Sequence, residues 1–142
     1  MNNNNDFVSF IDKLSKISDD REAEFLKREN ELIEFQNEID NLKKIYGNDE
    51  LEKKIDEYNK KFSFYKSDVD EFNSFINNNL KHNKTLIIDN IGNISKKISS
   101  QNNIDIIIES ESYFLASESI DISQLIIEEL KKNKIIFEIL EK

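Results

Sequence analysis

LEKKIDEYNKKFSFYKSDVDEFNSFINNNLKHNKTLIIDNIGNISKKI, residues 51–98, is the stretch from which the architecture follows. Leu51, Ile55, Tyr58, Phe62, Tyr65, Val69, Phe72 and Ile76 recur at alternating steps of four and three, a seven-residue apolar repeat. That spacing belongs to a helix that buries one narrow seam. Beyond it come Leu80, Asn83, Ile87, Ile91, Ile94 and Ile98, and Val69, Leu80 and Ile91 stand eleven residues apart. No proline interrupts the run, and its one glycine, Gly92, is tolerable in a helix at a cost of about 1 kcal/mol. Such a helix would be about 70 Å long. That length suggests a projecting arm rooted in a body, and the change of spacing predicts that the root packs differently from the arm.

Upstream, Phe25, Arg28, Leu32, Phe35, Ile39, Leu42 and Tyr46 show the same steps from about Asp19 onward. Ser18 or Asp19 would cap this helix, with Glu22 completing a capping box. Gly47-Asn48-Asp49 then supplies a helix stop and the next cap. Folding the chain there sets Tyr46 against Leu51, Leu42 against Ile55, Ile39 against Tyr58 and Phe35 against Phe62. Leu32 then meets Tyr65, Arg28 meets Val69 and Phe25 meets Phe72. The economical reading is an antiparallel helical hairpin over residues 19–76. Its aromatic seam reads as the hairpin's own core, with a binding surface as the competing interpretation.

Residues 1–18 and 77–142 are left to form a small body. Phe7-Val8-Ser9-Phe10-Ile11 is too short for periodicity to separate strand from helix. Ile104 to Glu109 and Ser112 to Ala116 have the β-branched and aromatic content of strands. A last helix would begin near Asp121 as cap, with Ile120 and Leu125 as a hydrophobic staple and Leu125, Ile126 and Leu130 on its buried side. The tail Ile135 to Leu140 could prolong that helix but reads rather as an edge strand. Two or three short strands and a helix end cannot close a core alone, so the body should oligomerise. Alternation places Ile106 with Ile108, and Tyr113 with Leu115, on the faces that would assemble. The fold class is thus mainly α with a small β body: a long antiparallel hairpin and a strand-and-helix oligomerisation body.

Composition agrees with long, solvated helices. Of 142 residues, 37% are hydrophobic and 35% charged, with no proline and two glycines. The absence of cysteine excludes disulfides, thiolate nucleophiles and zinc-thiolate sites. A net charge of −9 argues against nucleic acid as a partner. No run of 18 or more apolar residues exists to span a membrane. The start, Met1-Asn2-Asn3-Asn4-Asn5-Asp6, has neither the basic nor the apolar part of a signal peptide, which predicts a cytoplasmic chain unless a signal was removed.

The order of elements, together with Ile104-Asp105-Ile106-Ile107-Ile108-Glu109, Tyr113-Phe114-Leu115-Ala116 and Ser119-Ile120-Asp121-Ile122-Ser123-Gln124-Leu125-Ile126, resembles the Skp/OmpH family of periplasmic chaperones. Phe7 to Leu14 resembles that family's first strand and helix start. The resemblance implies a periplasmic homotrimer whose strands build a central body. Helical hairpins project from it and hold unfolded outer-membrane proteins without ATP. The chain departs from the family in its short hairpin, its acidic surface and the lack of a signal peptide.

Candidate client contacts are the apolar residues off the seam: Leu26 and Ile33 on one flank, Ile45, Phe64 and Phe75 on the other. Scattered exposed apolar residues are also ordinary on any surface. Lys43, Lys44, Lys53 and Lys54 gather at the hairpin tip, where they could attract acidic client segments or anionic lipid head groups. A solvated tip screened by Asp40, Glu52, Asp56 and Glu57 is the plainer account. His82 is the only histidine and has no companion for a metal. Nothing gathers a nucleophile, base and oxyanion donor, and no glycine-rich phosphate loop exists. No cofactor and no catalysis are expected. The rival to a chaperone is a coiled-coil scaffold that binds one folded partner.

Overall fold

The computed structural model describes residues 3–43, 48–112, 115 and 117–141. Its elements are α1 (Asn3–Leu42), α2 (Asn48–Asn102), single 3-10 turns at Ser110–Ser112 and Glu118–Ile120, and α3 (Ser123–Lys132). The chain divides into two compact units: a hairpin unit, Asp12–Asn78, and a terminal unit made of Met1–Ile11 with Asn79–Glu141.

In the hairpin unit, α1 and α2 pack antiparallel along the seam. Phe25 lies edge-on to both Phe72 and Tyr65, with ring centroids 5.8 and 6.0 Å apart. Phe35 lies edge-on to Tyr58 at 6.1 Å. Leu14, Phe25, Leu32, Ile39 and Phe72 form the buried core. A fully buried aromatic or leucine side chain contributes roughly 1.5–3 kcal/mol, so these few residues dominate the unit's stability. The expected meeting of Phe25 with Phe72 is present. Phe62, expected opposite Phe35, instead stacks on Tyr58 and stays exposed. The loop that joins the helices, with Tyr46 and Gly47, lies outside the described residues.

A charged layer interrupts the apolar seam. One carboxylate oxygen of Asp68 accepts from Arg28 at 2.5 Å and from Arg21 at 3.3 Å. Both guanidinium groups also lie over aromatic rings: Arg21 over Phe25 at 4.8 Å, Arg28 over Tyr65 at 5.6 Å. Charge pairs of fixed geometry at a helix–helix seam disfavour shifted alignments. The layer therefore helps set the register of the hairpin.

Several expectations are corrected. α1 does not start at Ser18 or Asp19 but runs through from Asn3. Ser18 donates to Glu22 at 3.0 Å along an uninterrupted helix surface, so Glu22 pairs with Ser18 at i, i+4 instead of completing a box with Asp19. Phe7 to Ile11 is helix rather than strand, because Phe7, Phe10, Leu14 and Ile17 continue the same stripe backwards.

Among the described residues there is no strand. The runs expected to form a β body, residues 104–109 and the described parts of 112–116, have no ladder partner among the described residues, and a lone strand leaves its backbone groups unpaired. α2 ends in a Schellman arrangement. Asn103 takes a positive φ of 54°, and the Ile104 N–H donates to the Ser99 carbonyl at 3.0 Å. Asparagine does here what glycine usually does.

In the terminal unit, the buried face of α2 does not pass through Leu80 and Ile91, both of which are exposed. It passes through Asn79 and Asn83, each 0% exposed, and on to Ile94 and Ile98. Asn83, Ile94 and Ile98 lie on the stripe that the spacing predicts, and Asn79 is buried in place of its neighbour Leu80. α3 begins one residue past Ile122, and the expected staple is open, since Ile120 and Leu125 both remain exposed. Ile126 and Leu130 are half-buried. Lys97 on α2 donates to Glu129 on α3 at 3.2 Å.

Candidate functional site

The hairpin unit carries two open grooves beside its seam. One, of ≈ 510 Å³, has Phe35, Tyr65 and Phe64 as its aromatic wall, with Glu31, Glu38 and Glu57 facing Lys54 and Lys61. The other, of ≈ 230 Å³, is lined by Ile33, Phe62 and Tyr58. Of the off-seam apolar candidates, Phe64 is 73% exposed and Leu26 and Ile33 are also exposed. Phe75 is half-buried and stacks on Phe72 at 6.0 Å, which makes it part of the packing. Ile45 lies outside the described residues. Each groove thus joins a loose apolar side chain to a partly open aromatic seam.

Two of the candidate tip lysines are paired with carboxylates. Lys43 bonds Asp40 at 2.8 Å. Lys54 reaches Glu38 at 3.7 Å and lies over the Phe35 ring at 5.1 Å. Lys53 is exposed, and Lys44 falls outside the described residues. Lys61, which the sequence reading did not single out, also lies over Phe35, at 5.0 Å. Cation–π contacts of this kind contribute about 0.5–1 kcal/mol at exposed sites.

Of the residues expected to build an assembly face, Ile106 is 73% and Leu115 86% exposed, and Ile108 is exposed as well. Tyr113 lies outside the described residues. Ile120, Leu125, Ile127 and Ile136 add to the apolar side chains left uncovered in the terminal unit.

A polar site in the terminal unit has no motif in the sequence, although Asn83 lies on the stripe expected for α2. Asn83 donates through Nδ2 to the Glu138 carbonyl at 2.9 Å and accepts the Glu138 N–H on Oδ1 at 3.2 Å. Asn79 accepts the Leu140 N–H at 2.7 Å. Asn79 and Asn83 are separated by about 6 Å of helix rise, and residues 138 and 140 of an extended chain by about 6.6 Å. The match means that this end of the tail is extended and runs antiparallel to α2. Beside it, Phe137 packs edge-on against Phe7 at 5.3 Å and lies 6.4 Å from Phe10, while Ile135 is buried. The tail expected as an edge strand is extended, but its partners are asparagine side chains instead of a neighbouring strand. The available signal was the pair of asparagines at i, i+4 on an otherwise apolar stripe.

Among the described residues, titratable groups around α3 are shifted. The Asp121 carboxyl is held below the usual carboxylate range by its bonds to Ser123, whose N–H donates to Oδ1 at 2.8 Å. Glu129 is lowered by Lys132 first and Lys97 second. Lys132 is raised by Glu129. All three lie on α3 or at its start and tie it to its surroundings. Among the described residues no three or more His, Cys, Asp or Glu side chains could hold a metal. No described helix is long and apolar enough to cross a membrane.

A family model described as "Outer membrane protein (OmpH-like)" matches residues 1–130. Comparison with the curated proteins and with the solved structures gives no match.

Proposed function

Because the chain belongs to the OmpH-like family, we propose that it is an ATP-independent holdase that keeps unfolded outer-membrane proteins soluble in the periplasm. The family match over residues 1–130 is the observation that carries this reading. In it, three copies assemble through the terminal unit, and the hairpins bound a space in which a non-native client is held. The exposed Ile106, Ile108 and Leu115 support the assembly, since these side chains have no cover within one chain. Leu26, Ile33 and Phe64 and the two grooves support the client contacts. Each contact is weak, and many weak contacts summed by multivalency give retention without a fixed recognition sequence. Mixed charge around the larger groove suits a client that must be released again.

One observation favours a scaffold instead. The aromatic seam is spent on the hairpin's own packing, which leaves only scattered apolar side chains on its surface. The two readings separate in a capture experiment. Immobilised protein should retain a urea-unfolded β-barrel protein and release it once that protein folds. Retention of one folded partner and no unfolded one would establish the scaffold. Light scattering at micromolar concentration should give the mass of three chains, and a monomer mass would overturn the assembly.

A further inference from the structure

We propose that the seat formed by Asn79, Asn83, Phe7 and Phe10 is a binding site for extended polypeptide, with residues 135–140 as its resident occupant. The incoming ligand is a segment of a non-native client with alternating apolar and polar residues. The inference rests on the holdase reading above and deepens it by giving the client a defined place in the terminal unit.

Three polar contacts of the seat reach the main chain of the tail. They engage the Glu138 N–H and carbonyl and the Leu140 N–H. Those groups are the same in every non-proline residue, so the asparagines place no demand on the side chains there. Glu138 and Ile136 both point away, exposed. Selection comes instead from Ile135, which is buried, and from Phe137 between Phe7 and Phe10. Apolar side chains two residues apart, with free choice between them, are the pattern of a strand with one apolar face. Main-chain bonds for affinity and alternate pockets for specificity are how sheet edges capture extended peptides. Here two helix-borne amides replace the sheet edge.

Asn79 and Asn83 are fully buried beneath the tail, and buried amides without partners are strongly disfavoured. Replacement of the tail by another extended segment keeps those bonds, whereas simple departure does not. The occupant is also built to leave. It follows Asn133, the extended residue that closes α3, and it belongs to no helix or strand. It lies beyond residue 130, where the family match stops. A tethered occupant acts at an effective concentration of about millimolar. Short stray peptides are therefore held off, while a long unfolded chain that engages several seats and grooves at once competes.

The test uses the full chain. Amide exchange at residues 138 and 140 is followed by NMR with and without a urea-unfolded β-barrel outer-membrane protein, while client aggregation is measured in the same samples. Exchange at both amides should rise at least tenfold as the client is kept soluble. A client kept soluble while both amides stay protected overturns the seat as its site and leaves the holdase reading intact. A client that aggregates regardless overturns the holdase reading. A labelled peptide with the sequence of residues 134–142 then tests the seat by itself. Phe137→Asp, a change confined to the occupant, should bind that peptide at least tenfold more tightly than the unaltered chain, and adding Asn83→Leu should abolish the gain. Equal binding by both proteins overturns the site. Peptide binding with client-insensitive amides would show that the seat exchanges tails between copies, against the proposal. If Phe137→Asp loses its helical circular dichroism, the exchange experiment on the unaltered chain decides.

Discussion

Replacing Asn83 by alanine should loosen the tail without unfolding α2. Asn83 makes two bonds to Glu138, at 2.9 and 3.2 Å, and one to the carbonyl of Asn79 on its own helix at 2.9 Å. The last is local, and that carbonyl keeps its helical partner when the side chain is removed. The two bonds to Glu138 are each worth about 1 kcal/mol net, and Glu138 is exposed enough for water to take over its backbone groups. The expected cost is therefore about 2 kcal/mol, near the sum of two ordinary bonds and below the penalty for groups stranded in a dry interior. That corresponds to a factor of roughly 30 in the equilibrium between seated and released tail. Hydrogen exchange at residues 138 and 140 reads that factor directly. Alanine is a good helix former, so protection of α2 itself should hold or improve. A change below threefold at the two tail amides would refute the assignment of Asn83 as the tail's anchor. An equal acceleration along α2 and tail would show instead that the residue supports the whole unit.

Other outcomes follow from the same contacts. A Cβ added at Gly92 meets nothing within 4 Å, so Gly92→Ala should raise stability by about 0.5–1 kcal/mol, seen as a higher melting temperature. Asp68→Ala removes the carboxylate shared by Arg21 and Arg28; the groups are partly exposed, so the loss should be about 1–2 kcal/mol in urea unfolding and smaller at high salt. Asp121 has a lowered folded-state pKa, so its support of α3 is complete above the ordinary carboxylate range and fades as pH falls below it; protection of the Ser123 amide should follow that course, and Asp121→Asn, which keeps an acceptor but does not titrate, should flatten it. Phe64→Ser alters an exposed side chain and should change stability by no more than about 0.5 kcal/mol while weakening retention of an unfolded client.

The hairpin was legible because its signal is redundant. Residues 25–42 and 51–72 carry the same spacing, and a fold at Asn48–Asp49 aligns Phe25 with Phe72, which the structure brings together. The start of α1 was harder. Phe7 to Ile11 is ambiguous alone, and only its phase relation to Leu14 and Ile17 identifies it as helix. The capping-box pattern at Asp19 and Glu22 misled because such residues sit equally well on the surface inside a helix, where Glu22 pairs with Ser18.

In the terminal unit, the habit of following apolar residues chose Leu80 and Ile91 over Asn79. The buried face needed amide side chains there, since an extended backbone lies against it. The bond of the tail to α2 has no periodic signature, as the asparagines are local in sequence and their partners lie 55 and 61 residues away. Residues 104–109 read as a strand by composition, yet a strand is a property of a pair, and no second member stands among the described residues.

The most direct test of the central claim is client aggregation. A urea-unfolded outer-membrane β-barrel protein, diluted into buffer without nucleotide, should scatter light strongly when alone and little in the presence of three chains of this protein per client. Undiminished scattering at that ratio, with the added protein folded and helical, would contradict the account.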